Sequence, residues 1–172
     1  MSSLTSEWQL KRENGIKYWI DIRNFNKKMN WPWGKQIYSR KFKISESVFS
    51  IFINPSGNSS SEKDHVSIYL RNESNWNVRL SDVSFKVGHH VRTSSCCYYE
   101  AGESCGVPLF VSQDEIEAES LLDKYGTFCL EVDVQLLEEE VVASRPTDNG
   151  GDDLLALKTE VSMIKKELEG QR

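Results

Sequence analysis

The 172-residue chain has no run of basic residues, no apolar stretch of the about 20 residues that a membrane span needs, and no charged and apolar leader behind Met1. Its 21 Lys and Arg lie scattered among 26 Asp and Glu, leaving a net charge of −5. Binding nucleic acid requires a basic face to neutralise phosphates, so no nucleic-acid partner is expected. With neither leader nor span, the chain is expected to be soluble, outside any membrane, and cytoplasmic or nuclear. Cysteine is sparse: Cys96, Cys97, Cys105 and Cys129 are expected to stay reduced in such a compartment. His89 and His90 precede the vicinal pair Cys96-Cys97, but adjacent thiolates lack the two intervening residues that let both face one metal. No metal and no cofactor are expected. Nor is an enzyme: the His-Glu-x-x-His metalloprotease motif is absent, and no third group is in evidence to orient Cys97 or Cys105 with His89 or His90 as a nucleophile pair.

What is present is a core. Hydrophobic residues make up 38% of the chain and aromatics 10%, with five Trp, and the length suits one domain of about 100–150 residues with an appendage. From Trp8 to about Leu137 the dominant signal is alternation with period two. Tyr18, Ile20 and Ile22 share one face and Trp19, Asp21 and Arg23 the other. The same spacing groups Phe49, Ile51 and Ile53; Val66, Ile68 and Leu70; Val83, Phe85 and Val87; and Phe128, Leu130, Val132 and Val134. Turn residues separate these runs, as in Asn54-Pro55-Ser56-Gly57-Asn58 and Arg71-Asn72-Glu73-Ser74-Asn75. Short strands between turns, without a long helical period, point to an all-β sandwich or barrel. One short helix is expected in residues 112–122, where Ser112-Gln113-Asp114-Glu115 reads as a helix start and Ile116, Ser120 and Leu121 form a small face. Trp31-Pro32-Trp33 is expected to pack over an end of the sandwich, a binding platform being the alternative.

The composition changes after Glu138-Glu139-Glu140, which reads as a solvated strand end. The chain then divides into an N-terminal extension (1–16), a sandwich (17–140), a polar linker with Gly and Pro (141–151) and a helix (152–172). In that helix Leu154, Leu157, Val161, Ile164 and Leu168 recur at spacings of 3, 4, 3 and 4, a seam for a homo-oligomeric coiled coil or for docking on the chain's own domain.

Several of these segments, taken in order, resemble one family. Tyr18-Trp19-Ile20-Asp21-Ile22-Arg23-Asn24-Phe25 resembles the opening strand of meprin and TRAF homology (MATH) domains, with Trp19 shifted by one position. The stretch Gly34-Lys35-Gln36-Ile37-Tyr38-Ser39, with Phe42, is similar to the second strand of that family. Ile51-Phe52-Ile53-Asn54-Pro55-Ser56-Gly57 followed by His65-Val66-Ser67-Ile68-Tyr69-Leu70 looks like its Pro-x-Gly turn and succeeding strand, and Phe128-Cys129-Leu130-Glu131-Val132-Asp133-Val134 like its closing strand. The resemblance implies an eight-stranded antiparallel β-sandwich that binds extended peptides in a shallow groove, in adaptors for receptors or for ubiquitin ligases. It places the groove tyrosine at Tyr69 and the family's aromatic-Gly-aromatic element at Cys105-Gly106-Val107, where the glycine is kept and both aromatics are lost. The expected ligand surface is Tyr69, Val83, Cys97, Tyr98, Tyr99, Cys105, Gly106 and Val107, with the tyrosines restoring aromatic area. Two functions fit: a peptide-binding adaptor, or a structural protein that self-assembles through sandwich and helix.

Overall fold

A computed structural model describes residues 5–12, 15–59 and 61–135. The chain divides into units Met1–Glu138 and Glu139–Arg172. The acidic run, the linker and the heptad helix expected from the sequence lie outside the described residues.

Strict alternation builds the first sheet. It contains β1 (Thr5–Arg12), β2 (Gly15–Ile22), β12 (Phe128–Gln135), β8 (Asp82–Val87) and β9 (His90–Thr93), in that spatial order and antiparallel throughout. The second sheet has the order β11 (Ser104–Ser112), β6 (His65–Asn72), β5 (Ser47–Asn54) and β3 (Ile37–Tyr38), with β4 (Phe42–Ile44) also paired to β5. A small ladder of β7 (Val78–Arg79) and β10 (Tyr98–Tyr99) stands apart from both. Two five-stranded sheets exceed the expected eight strands for two reasons. First, β1 adds a strand beside β2. Second, one expected strand is broken into β3 and β4: Ser39 donates its backbone N–H to the Ile51 carbonyl (2.8 Å), and its hydroxyl accepts the Ile51 N–H (2.9 Å) in place of a backbone carbonyl.

The core lies between the sheets. Ile20, Ile22, Phe85, Leu130 and Val132 face Phe49, Ile51, Ile53, Ile68 and Leu70, all nearly inaccessible to solvent. Each such side chain contributes about 1.5–3 kcal/mol by burial, an upper range for the net effect because the unfolded chain is already partly compact. Two short helices occur among the described residues, α1 (Phe25–Lys28) and α2 (Gln113–Ala118). The second begins where the sequence predicts: the Ser112 hydroxyl accepts the Glu115 N–H while the Glu115 carboxylate accepts the Ser112 N–H at 2.8 Å, closing a capping box. Ile116 and Leu121 turn inward, and Ser120 stays exposed. The indoles divide: Trp31 packs against the core with Lys35 Nζ 4.0 Å above its ring, whereas Trp33 is exposed.

Candidate functional site: the outer face of the second sheet

Period-two alternation turns Phe49, Ile51 and Ile53 of β5 inward, and so sends Ser50, Phe52 and Asn54 to the outer face. On β6 the outer residues are Ser67, Tyr69 and Arg71. Register then sets these residues in cross-strand rows. Tyr38 lies opposite Phe52, Phe52 opposite Tyr69, and Tyr69 opposite Gly106, so one row crosses four strands from β3 to β11. Phe52 and Tyr69 stack with ring centroids 4.9 Å apart, and Tyr38, exposed at the rim, tilts against Phe52 at 5.9 Å. The Tyr69 hydroxyl donates to Asn58 Oδ1 at 3.3 Å, which fixes the ring over the sheet.

Polar rows border the aromatic one. On one side Asn54 is wholly buried, donating to the carbonyls of Gly34 (3.1 Å) and Lys35 (3.3 Å), while Ser67 donates to Asn54 Oδ1. On the other, Ser50 lies opposite Arg71, and Arg71 opposite Ser104. The Ser50 hydroxyl donates to the Glu73 carboxylate at 2.6 Å, Lys41 Nζ sits 3.3 Å from it, and Arg71 Nε lies 3.7 Å away. The Ser50 hydrogen bond, followed by Lys41, holds the Glu73 carboxyl below the usual range against the opposing effect of burial.

Strand β11 closes the row at a sheet edge. Its pairing with β6 slips between Val107 and Val111, a bulge that contains Pro108, which has no N–H to offer a further strand. Gly106 is required by proximity: a Cβ there would stand 2.0 Å from the Ile68 carbonyl oxygen and 2.6 Å from the Tyr69 Cα. Beyond the bulge His90 of β9 donates from Nε2 to the Phe110 carbonyl at 2.7 Å, tying the first sheet to the second.

The match to a family model extends over this geometry. Residues 17–134 match the MATH domain. The chain belongs to the MATH family. A solved structure of TRAF5 from Notothenia coriiceps is similar to this MATH domain with a TM-score of 0.56 and 15% identity, covering 72% of this chain and 75% of that one. In all, 52 chains of solved structures match. A search of curated proteins finds no match. MATH domains are, in general, protein-interaction modules rather than enzymes, and their partners are proteins.

Of the residues expected on a ligand surface, the MATH fold brings Tyr69 and Gly106 side by side on the outer face. Cys105 and Val107 alternate inward, opposite Leu70 and Ile68, and pack half-buried against the core. Their small size therefore alters the packing beneath the edge, not the outer surface. Val83 and Tyr99 have 0% and 1% of their surface exposed and are out of a ligand's reach. Tyr99 packs edge-on against Phe49, and burial pushes its phenol up to about 12. Cys97 and Tyr98 are exposed but sit at the β7–β10 ladder, where Asn77 donates to the Tyr98 hydroxyl at 2.6 Å and Arg79 lies over the ring. Tyr38, Phe52 and Arg71 were absent from the expected surface. Placing Ile51 and Ile53 in the core already points Phe52 outward.

The cysteines depart from expectation too. Cys96 and Cys105, half-buried and with Cα atoms 6.2 Å apart, form a disulfide, whereas Cys97 and Cys129 are free and exposed. Compartment says nothing of proximity, and here the turn through β10 returns the chain to Cys96. Burial, then the Asp21 carboxylate, pushes the Cys129 thiol up to about 11, so it is a poor nucleophile near neutrality. A hollow of about 410 Å³ beside it is lined by Asp21, Arg23, Asn24, Asp123, Tyr125 and Thr127. Among the described residues no cluster of three His, Cys, Asp or Glu could hold a metal, and no helix is long and apolar enough to cross a membrane. His89 meets the Glu119 carboxylate at 2.9 Å.

Proposed function

We infer that this MATH domain is an adaptor that takes an extended peptide as an added strand along β11, with one peptide side chain resting against the Phe52–Tyr69 stack. The single observation that supports it is the register placing Tyr38, Phe52, Tyr69 and Gly106 in one row that ends at a sheet edge. Backbone pairing supplies affinity in such binding, and pockets beside the edge supply selectivity. Pro108 and the bulge limit the pairing to Ser104–Val107, so the recognised motif is short. Recruitment in signalling or ubiquitination follows if a partner chain carries the receptor or the ligase.

A peptide array probed with the full chain, followed by amide chemical-shift mapping of the best peptide, tests this. Shifts concentrated at Ser104–Val107 and Tyr69 are the expected result. Shifts confined to β2, β8 and β12, or an array that enriches nothing, would overturn it.

A further inference from the structure

The disulfide joins β11 to the segment after β9 one residue before Gly106, the point where β11 presses hardest on β6. We propose that Cys96 and Cys105 form a thiol–disulfide exchange site whose substrate is a small dithiol, and that the bond is a reversible latch on the β11 edge.

Three observations carry it. Both cysteines are half-buried, neither sealed in the core nor fully out of it, so a small thiol reaches the bond from solvent. Disulfides that solvent reaches are the ones that exchange. The bond also closes the segment that carries β10, whose middle is anchored independently of it: Tyr99 packs in the core against Phe49 and its carbonyl accepts from the Asn72 side chain at 3.1 Å, while backbone bonds of 2.9 Å join Asn72 to Gly102 and Glu103, and Leu80 to Cys97. A cross-link limits the freedom of the loop it closes, so opening it loosens the start of β11, while buried Tyr99 keeps β10 in place. Finally, the neighbouring thiols do not compete well for the bond. Cys97 follows Cys96 directly but is exposed where Cys96 is half-buried against the core, while Cys129 lies on β12 in the other sheet with its thiol pushed up to about 11.

Chemically, one thiolate of the dithiol bonds to a protein sulfur, and the other protein sulfur leaves as a thiolate and takes up a proton. The second thiol of the reagent then closes on the first and frees the remaining cysteine. Two electrons pass to the protein, the reagent ends as a cyclic disulfide, and both Cys96 and Cys105 end as thiols. The consequence for peptide binding rests on the adaptor function inferred above: a loosened β11 is a poorer template for an added strand.

The test uses the full chain, purified without reductant, and dithiothreitol as the dithiol. Thiol titration in denaturant is expected to give two reactive thiols before reduction and four after it, since Cys97 and Cys129 are free. Hydrogen exchange at Ser104–Val107 is expected to speed up about tenfold or more on reduction, with Tyr98–Tyr99, Gly15–Ile22 and Phe128–Gln135 unchanged. The double variant Cys96→Ser with Cys105→Ser should show the fast pattern without reductant, and Cys97→Ser should keep the slow one. Four thiols before reduction, or equal exchange in both states, would overturn the latch. Neither readout uses a peptide, so failure of the latch and failure of the adaptor function are told apart.

Discussion

The two sheets of this MATH domain share one core but present different outer faces. Along β12 and β2 the residues alternate between buried and partly or fully exposed, and the outer side carries charges: Lys17 pairs with Glu131 and lies 3.6 Å from Asp133. Along β5 and β6 nearly every residue is buried, on both faces. Charges facing solvent make a face that needs no cover and offers little to grip. An outer face built from stacked aromatics and hydrogen-bonded Asn and Ser has already displaced much of its water, so a ligand that adds to it gains from order already in place. On the adaptor function inferred above, that difference is the reason for placing the peptide on the second sheet rather than the first.

Removing the aromatic floor should have the largest effect. Phe52→Ala deletes a ring that is 8% exposed and stacked on Tyr69, and is expected to lower stability by about 3 kcal/mol in denaturant unfolding. A loss close to zero would mean that the outer row is mere surface. Gly106→Ala comes next. Its methyl meets β6 backbone, which cannot swing aside as a flexible side chain does, and a loss of about 1–3 kcal/mol is expected by the same measurement. On the first sheet, Lys17→Ala breaks a partly solvated charge network and should cost about 1 kcal/mol or less, a difference that disappears if the two outer faces are alike.

Acid should act more mildly still. The Glu73 carboxyl is held below its ordinary 4.5 by Ser50 and Lys41, and Glu115 by the Ser112 N–H and hydroxyl. For both groups the unfolded chain binds protons that the folded chain does not, so their contribution is complete above the ordinary value and fades as pH falls through the lower folded values. The melting temperature is expected to be level from pH 7 to about 5 and to drop below that, less steeply in Glu115→Gln.

Most of the core was legible in the sequence, because a single buried face writes itself as period two: each apolar series from Tyr18-Ile20-Ile22 to Phe128-Leu130-Val132-Val134 lies inward. The capping box of α2 was legible because both its partners lie within four residues. The outer row was not, since Tyr38, Phe52, Tyr69 and Gly106 are neighbours only through register, and register is a property of paired strands. Tyr69 and Gly106 entered through family resemblance, and Val83 and Tyr99 entered the same surface although both are buried, Val83 by its own alternation with Phe85 and Val87. The disulfide escaped because it depends on how the segment carrying β10 folds back, which composition does not encode.

The central claim is that the second sheet's outer face and edge bind peptide, and the most direct measurement is the affinity of one array-selected peptide for the intact chain, for Tyr69→Ala and for Lys17→Ala, each checked for folding by circular dichroism. Losing the Phe52–Tyr69 stack should weaken binding about tenfold or more, the scale of one buried aromatic anchor, while Lys17→Ala leaves it within about twofold. Equal affinity in all three proteins, with Tyr69→Ala folded, would contradict the account.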